Sequence, residues 1–227
     1  MYSRIAIFGL TGDPFTVAHR EICRLAMKEL PIHKLYVIPT VVDYHRQGKS
    51  KCLCDFDKLL CMKHMLWSLG SEYLGKWEID EHEIDLKGLC SDNATLYDDV
   101  ILPRRFIHTL LDFRCRVGID YLTTMIIGTD EAANFKKWYR YKDVLSNIDG
   151  MSIVEGRDGE GIDVIHKIEK EGIDVIPLML RDKELCKVSA SKVRATFKDG
   201  RYDHKLYCEQ VAAYDRGEKT LAELKWI

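Results

Sequence analysis

Residues 4–19 read Arg4-Ile5-Ala6-Ile7-Phe8-Gly9-Leu10-Thr11-Gly12-Asp13-Pro14-Phe15-Thr16-Val17-Ala18-His19, and the change of character at Gly9 decides the fold. Ile5 to Phe8 is apolar without alternation, the pattern of a strand buried on both faces. A glycine-containing loop follows, and Thr16 is placed to cap a helix running from about Val17 to Leu30. The loop is not a dinucleotide fingerprint, because the third glycine of G-x-G-x-x-G is missing. Its chemistry still suits an anion. The two glycines let backbone N–H groups approach a phosphate, and the helix start turns its positive end toward it. His19 comes one turn after Thr16 on the same face, so both can meet one phosphate group. Taken alone, the segment is equally an ordinary tight turn with a surface histidine.

Working outward, β-rich runs alternate with helical patterns. Leu35 to Ile38 is a strand closed by Pro39, a helix covers about Asp55 to Leu69, and Trp77 to Ile84 alternates as a half-exposed strand. Residues 85–102 have weak periodicity and form an excursion, after which Pro103 fits the first turn of a helix. Thr123 to Ile127 is a buried strand, Asp130 to Leu145 a helix, and Met151 to Val154 a strand. Asp163 to Glu171 is helical, Asp174 to Leu180 is a strand, and two helices follow Val188. Repeated β-then-α with apolar strands predicts an α/β fold, a parallel sheet with helices on both faces. No linker or repeat interrupts it, so residues 1–227 are expected to form one domain with 85–102 as an insertion. In such sheets the ligand lies at the carboxyl ends of the strands near the reversal of strand order. That selects the loops after the first, second and fourth strands and the helix start near Ser189.

Composition narrows the function classes. The 34 basic and 36 acidic residues give a formal net charge of -2. Such a balance supplies no long-range attraction to nucleic acid or an acidic membrane. The apolar start is too short for a signal peptide, and no run approaches the ~20 residues of a membrane span. The eight cysteines lack the spacing of a secreted scaffold and read as reduced thiols, so a cytoplasmic location is expected. Composition leaves a homo-oligomer open.

Further clusters carry chemistry. Val188-Ser189-Ala190-Ser191-Lys192-Val193-Arg194 places hydroxyls and a guanidinium on the first turn of a helix, a phosphate clamp or, taken alone, a serine N-cap with a solvated arginine. Ile126-Ile127-Gly128-Thr129-Asp130 is followed by Phe135, Trp138 and Tyr141. An aromatic face there can stack on a flat heterocycle, an aspartate can accept from ribose hydroxyls, and Trp138 is otherwise a core anchor. Gly48-Lys49-Ser50 looks like the tail of a Walker A loop, but Asp43 stands where its first glycine belongs. Cys52, Cys54, Cys61 and His64 are zinc-ligand types, yet the compact C-x-x-C half-site is absent and reduced thiols are the better account.

The first loop resembles the T/H-x-G-H signature of the nucleotidyltransferase superfamily, and more fully the G-x-(T/S)-F-D-P-x-(H/T)-x-G-H loop of nicotinate-nucleotide adenylyltransferases. Gly9, Thr11, Asp13, Pro14, Thr16 and His19 match, while Leu10, Gly12 and Ala18 depart from it. Val188 to Arg194 resembles the I-S-S-T-x-I-R motif of the same superfamily. Gly128 to Leu145 is similar to the G-A-D-S…W…L-L block of the pyridine-nucleotide enzymes, and Phe106 to Leu111 to the Y-T-x-x-T-L helix start before it. The similarity runs from about residue 4 to 215.

The resemblance implies a Rossmann-like nucleotidyltransferase fold. It implies transfer of the adenylyl group of ATP to nicotinic acid mononucleotide or nicotinamide mononucleotide, with loss of pyrophosphate, in NAD biosynthesis. It implies catalytic roles for His19, Thr16 and Arg194, and contacts to ATP from Gly9, Thr11, Ser189, Ser191 and Arg194. Lys49, Thr109, Gly128, Asp130 and Trp138 would face the acceptor. Mg²⁺ would be held by the phosphates and water, without a protein metal site. Two rivals stand beside this: adenylyl or cytidylyl transfer of the pantetheine-phosphate type, and a nucleotide-binding sensor without catalysis.

Overall fold

The computed structural model describes residues 3–40, 55–85, 105–118, 120–155, 161–196, 204–220 and 223. Six parallel strands form one sheet: β1 (Arg4–Leu10), β2 (Lys34–Pro39), β3 (Trp77–Ile79), β4 (Leu122–Gly128), β5 (Gly150–Glu155) and β6 (Val175–Met179). Their order is β3-β2-β1-β4-β5-β6, so the direction of winding reverses between β1 and β4. Ile5 stands opposite Lys34 on one side and Thr123 on the other.

The helices are α1 (Val17–Glu29), α2 (Asp55–Trp67), α3 (Phe106–Val117), α4 (Thr129–Asn134), α5 (Tyr141–Leu145), α6 (Gly161–Glu169), α7 (Lys183–Lys187), α8 (Ala190–Thr196) and α9 (His204–Asp215). Strand residues alternate between two separate cores, one on each face of the sheet. Ala6, Phe8, Leu35, Val37, Ile126 and Leu178 pack with residues of α1, α2, α7, α8 and α9. Ile5, Ile7, Ile38, Met125, Ile127, Met151 and Ile153 pack with α3, α4, α5 and α6. Both faces are covered, which is why the strands read as unbroken apolar runs. Among the described residues no helix is long and apolar enough to cross a membrane.

Two elements differ from the pattern expected of the sequence. The strand read through Ile84 ends at Ile79, because Asp80 is buried and turns the chain. Its carboxylate accepts from both terminal nitrogens of Arg116, at 3.1 and 2.6 Å, and from the backbone N–H of His82 at 3.2 Å. The chain then enters a helical turn over 82–85, with the Asp85 N–H donating to the Glu81 carbonyl. The single helix expected over 130–145 is broken instead. α4 stops at Asn134, whose side-chain amide donates back to the Asp130 carbonyl at 3.0 Å. A 3₁₀ turn over Phe135–Lys137 follows, and α5 starts beyond Arg140, which holds a left-handed φ of 53°. The short α7, capped by Asp182 through the N–H groups of Glu184 and Leu185, had no counterpart in the periodicity. Pro103 and nearly all of the 85–102 excursion lie outside the described residues.

Candidate active site

The loop after β1 lies at the carboxyl ends of the strands, beside the reversal of winding. Thr16 caps α1 through a reciprocal pair: its hydroxyl accepts from the His19 N–H at 3.4 Å, and its own N–H donates to His19 Nδ1 at 3.0 Å. A backbone N–H can only donate, so Nδ1 accepts and the ring proton is carried on Nε2. The imidazole is therefore oriented as a hydrogen-bond donor, packed between Phe8 and Phe15 with ring centroids at 6.2 and 5.4 Å. The arrangement is a capping box with histidine in the place usual for glutamate.

Gly9 and Gly12 are required for different reasons. A Cβ at Gly9 would come 3.0 Å from the Phe106 ring, which lies over the start of the loop. Gly12 has φ +60°, and an added Cβ would overlap the Met62 methyl that α2 sends onto the loop. The Met62 methyl thus lies where a side chain at position 12 would begin. Gly12→Ala should lose about 1–3 kcal/mol from the left-handed backbone alone, with more from overpacking. Met62→Ala alone opens a cavity, so a double-mutant cycle isolates the contact: Gly12→Ala should cost less in the Met62→Ala background than in the wild type, as thermal denaturation of all four proteins would measure. An equal cost in both backgrounds would disprove the Met62 contact.

The carboxyl-terminal segment closes on the same loop. One terminal nitrogen of Arg194 donates to the Asp13 carbonyl, across 181 residues of sequence, and the other to Ser191 Oγ at 2.9 Å. Ser189 Oγ accepts from the Lys192 N–H at 3.2 Å, which ties off the first turn of α8. The buried Tyr207 hydroxyl donates to the Phe15 carbonyl at 2.8 Å, and its burial holds the phenol well above its ordinary pKa, so it remains a donor. Arg194 and Tyr207 fasten two carbonyls of one turn. Tyr207 escaped the sequence analysis because nothing local marks a tyrosine inside an amphipathic helix as a loop anchor. Met62 escaped it likewise, whereas Asp13, buried in the same turn, was matched to the family loop without a role of its own.

On the other side of the reversal, Gly128 ends β4 and the Asp130 carboxylate folds back over it, 2.7 Å from where a Cβ would stand. Thr129 Oγ1 donates to the Val154 carbonyl at 2.8 Å and fixes this loop to β5. Trp138 is half-buried, edge-on to Phe106 at 5.3 Å and tilted against Phe135 at 5.1 Å. Because Phe106 also covers Gly9, this aromatic row links the β4 loop to the β1 loop. Thr109 is buried, and its hydroxyl donates to the buried Glu83 carboxylate. Thr11 is half-buried in the β1 loop. Lys49, Cys52 and Cys54 lie outside the described residues. Cys61 is buried against α9, where its hydrogen bond with Cys208 lowers the Cys208 pKa. Among the described residues no three His, Cys, Asp or Glu side chains come together as a metal site.

A doubly wound sheet whose histidine-bearing helix start and serine–arginine helix start meet over one glycine loop is the framework of a nucleotidyltransferase. No family model matches the chain. It is 30% identical to a “Probable nicotinate-nucleotide adenylyltransferase” of Campylobacter fetus over 190 residues, which is 84% of each chain. With the protein of the same name from Aliarcobacter butzleri it shares 26% over 217 residues, 96% of this chain and all of that one. The solved Plasmodium falciparum nicotinic acid mononucleotide adenylyltransferase, complexed with NaAD, has the same fold at a TM-score of 0.65, 16% identity, and coverage of 97% and 100%. The chain belongs to the nicotinate-nucleotide adenylyltransferase family.

Proposed function

We propose that the chain transfers the adenylyl group of MgATP to nicotinic acid mononucleotide or nicotinamide mononucleotide, releasing pyrophosphate, as a step in making NAD. The observation that carries this is the closure of α8 onto the β1 loop: Arg194 on the Asp13 carbonyl brings Ser189, Ser191 and Arg194 to the loop that orients His19. The acceptor phosphate displaces pyrophosphate at the α-phosphorus, so no protein nucleophile is needed and the chain contributes alignment and charge neutralisation. His19 Nε2–H donates to a phosphate oxygen as charge develops toward the leaving group. Thr16 holds the ring in that tautomer. Ser189, Ser191 and Arg194 bind the outer phosphates, while the Gly9–Thr11 turn approaches them with its backbone. Mg²⁺ travels with ATP, held by phosphate oxygens and water. Gly128, Asp130 and Trp138 serve the acceptor's ribose and ring, with Thr109 holding the α3 side of that pocket through Glu83 and Lys49 meeting its phosphate. The reaction is proposed to occur in the cytoplasm, carried by the whole chain as one domain with 85–102 inserted.

Pyrophosphate release from ATP with nicotinic acid mononucleotide, nicotinamide mononucleotide and phosphopantetheine tests this directly. Turnover is expected with a pyridine mononucleotide, the nicotinate form favoured. Turnover with phosphopantetheine alone would overturn the acceptor, and none with any would favour a nucleotide-binding sensor. Trp138→Ala should raise KM for the pyridine substrate about ten- to a hundredfold, the size of one lost stacking contact of about 1–3 kcal/mol, with KM for ATP nearly unchanged. A tryptophan that served only the core would lower the melting midpoint and harm both substrates together.

A further inference from the structure

We propose that Lys58 is a phosphate-binding residue of this site, its ammonium holding a phosphate of ATP or of the acceptor against the Gly9–Thr16 loop. The proposal rests on the function given above. α2 turns one stripe inward, Lys58, Cys61, Met62, Met65 and Leu66, and all five are buried. Lys58 is 1% exposed, on a stripe that otherwise carries only sulfur and hydrocarbon. Lysine is almost never that buried without a charged partner, and removing its ammonium from water is costly. Asp55, one turn earlier and 20% exposed, lies 3.5 Å from Nζ and is one of its partners.

The position of the lysine along the helix matters more than its burial. α2 follows β2, so its first turn stands at the carboxyl ends of the strands, where the ligand crevice of a doubly wound sheet opens. Helical side chains tilt toward the amino terminus, which for Lys58 means toward that crevice. Met62, four residues on and directly beneath it, is the residue whose methyl lies on Gly12. Lys58 therefore stands one turn, roughly 5.4 Å, further toward the mouth from a contact with the phosphate loop itself. The cation that the family motif supplies there, Arg194, already donates from both terminal nitrogens to protein acceptors. A second cation beside the loop supplies charge that a polyphosphate needs, and Asp55 holds it there before the ligand arrives.

Lys58→Met keeps the stem and removes the charge. Calorimetry on the full chain should use two probes, pyrophosphate and nicotinic acid mononucleotide. One of them should bind about ten- to a hundredfold more weakly to Lys58→Met, as expected for one lost hydrogen bond from a charged donor. Pyrophosphate assigns the ammonium to the ATP side, the mononucleotide to the acceptor side. The melting midpoint should hold or rise, and Lys58→Arg should restore part of the affinity. Unchanged binding of both probes would overturn the proposal and leave Lys58 as a core ion pair. Should Lys58→Met fail to fold, Lys58→Gln decides: it keeps a polar head without the charge, so one probe should bind about tenfold more weakly, and unchanged binding overturns the proposal. These are binding measurements, so a chain that holds both probes yet adenylylates no mononucleotide would count against the proposed reaction and not against Lys58.

Discussion

His19→Ala is expected to lower kcat by about 10²–10³, the usual cost of removing one donor aimed at transition-state charge. The structure adds a second consequence. His19 Nδ1 receives the Thr16 N–H, so alanine also opens the capping box and should cost about 0.5–2 kcal/mol of stability. His19→Asn separates the two effects. Its amide oxygen can still accept from Thr16, but the side chain is too short to place a donor where Nε2–H stands. The asparagine enzyme should melt close to wild type and be nearly as slow as the alanine enzyme, with ATP binding little changed in both. Steady-state kinetics beside thermal denaturation would show this. If either variant keeps more than half of wild-type kcat, the histidine serves only as a cap, and the match of this loop to the family signature is one of form.

The parts of the molecule open to sequence analysis were those written locally. Ile5 to Phe8, Thr123 to Ile127 and Met151 to Val154 are strands buried on both faces, and a short apolar run bounded by polar turns marks such a strand without help from the rest of the chain. Thr16 and Ser189 precede helices as caps should, and each makes its capping bond. What escaped was decided by contacts distant in sequence. Nothing near Asp80 shows that Arg116 will pair with it and end β3 at Ile79. The helical pattern over 130–145 gives no sign that Asn134 and Arg140 divide it. Gly12 looked like a loss of the family's phenylalanine, and only the fold shows the Met62 methyl lying where a side chain there would begin. Lys58 reads as one more charge on a surface helix until the stripe it heads proves buried. Asp80 and Arg116 stand 36 residues apart and Gly12 and Met62 about 50, so local periodicity carries neither contact.

Arg194→Ala should affect ATP more broadly than the histidine changes do, because a phosphate clamp acts on bound ATP as well as on the transition state. KM for ATP should rise and kcat should fall together, with kcat/KM down by about 10²–10³, as when charge-assisted hydrogen bonds worth about 1.5–3 kcal/mol each are lost. The structure makes Arg194 a strut as well: its donation to the Asp13 carbonyl joins α8 to the β1 loop, so the melting midpoint should also drop. Arg194→Lys tests the two roles against each other. A lysine can neutralise a phosphate but cannot reach Ser191 Oγ and the Asp13 carbonyl with one planar fork, so it should recover only part of the ATP affinity. Ser191→Ala removes one arm of the fork while keeping the charge, and should give a much smaller rise in KM than Arg194→Ala. The informative failure is specific. If Arg194→Ala melts lower but keeps both ATP parameters, the guanidinium is a clasp between helix and loop and nothing more. The outer phosphates must then be held by other cations of the crevice, and Lys58 would be the first to examine.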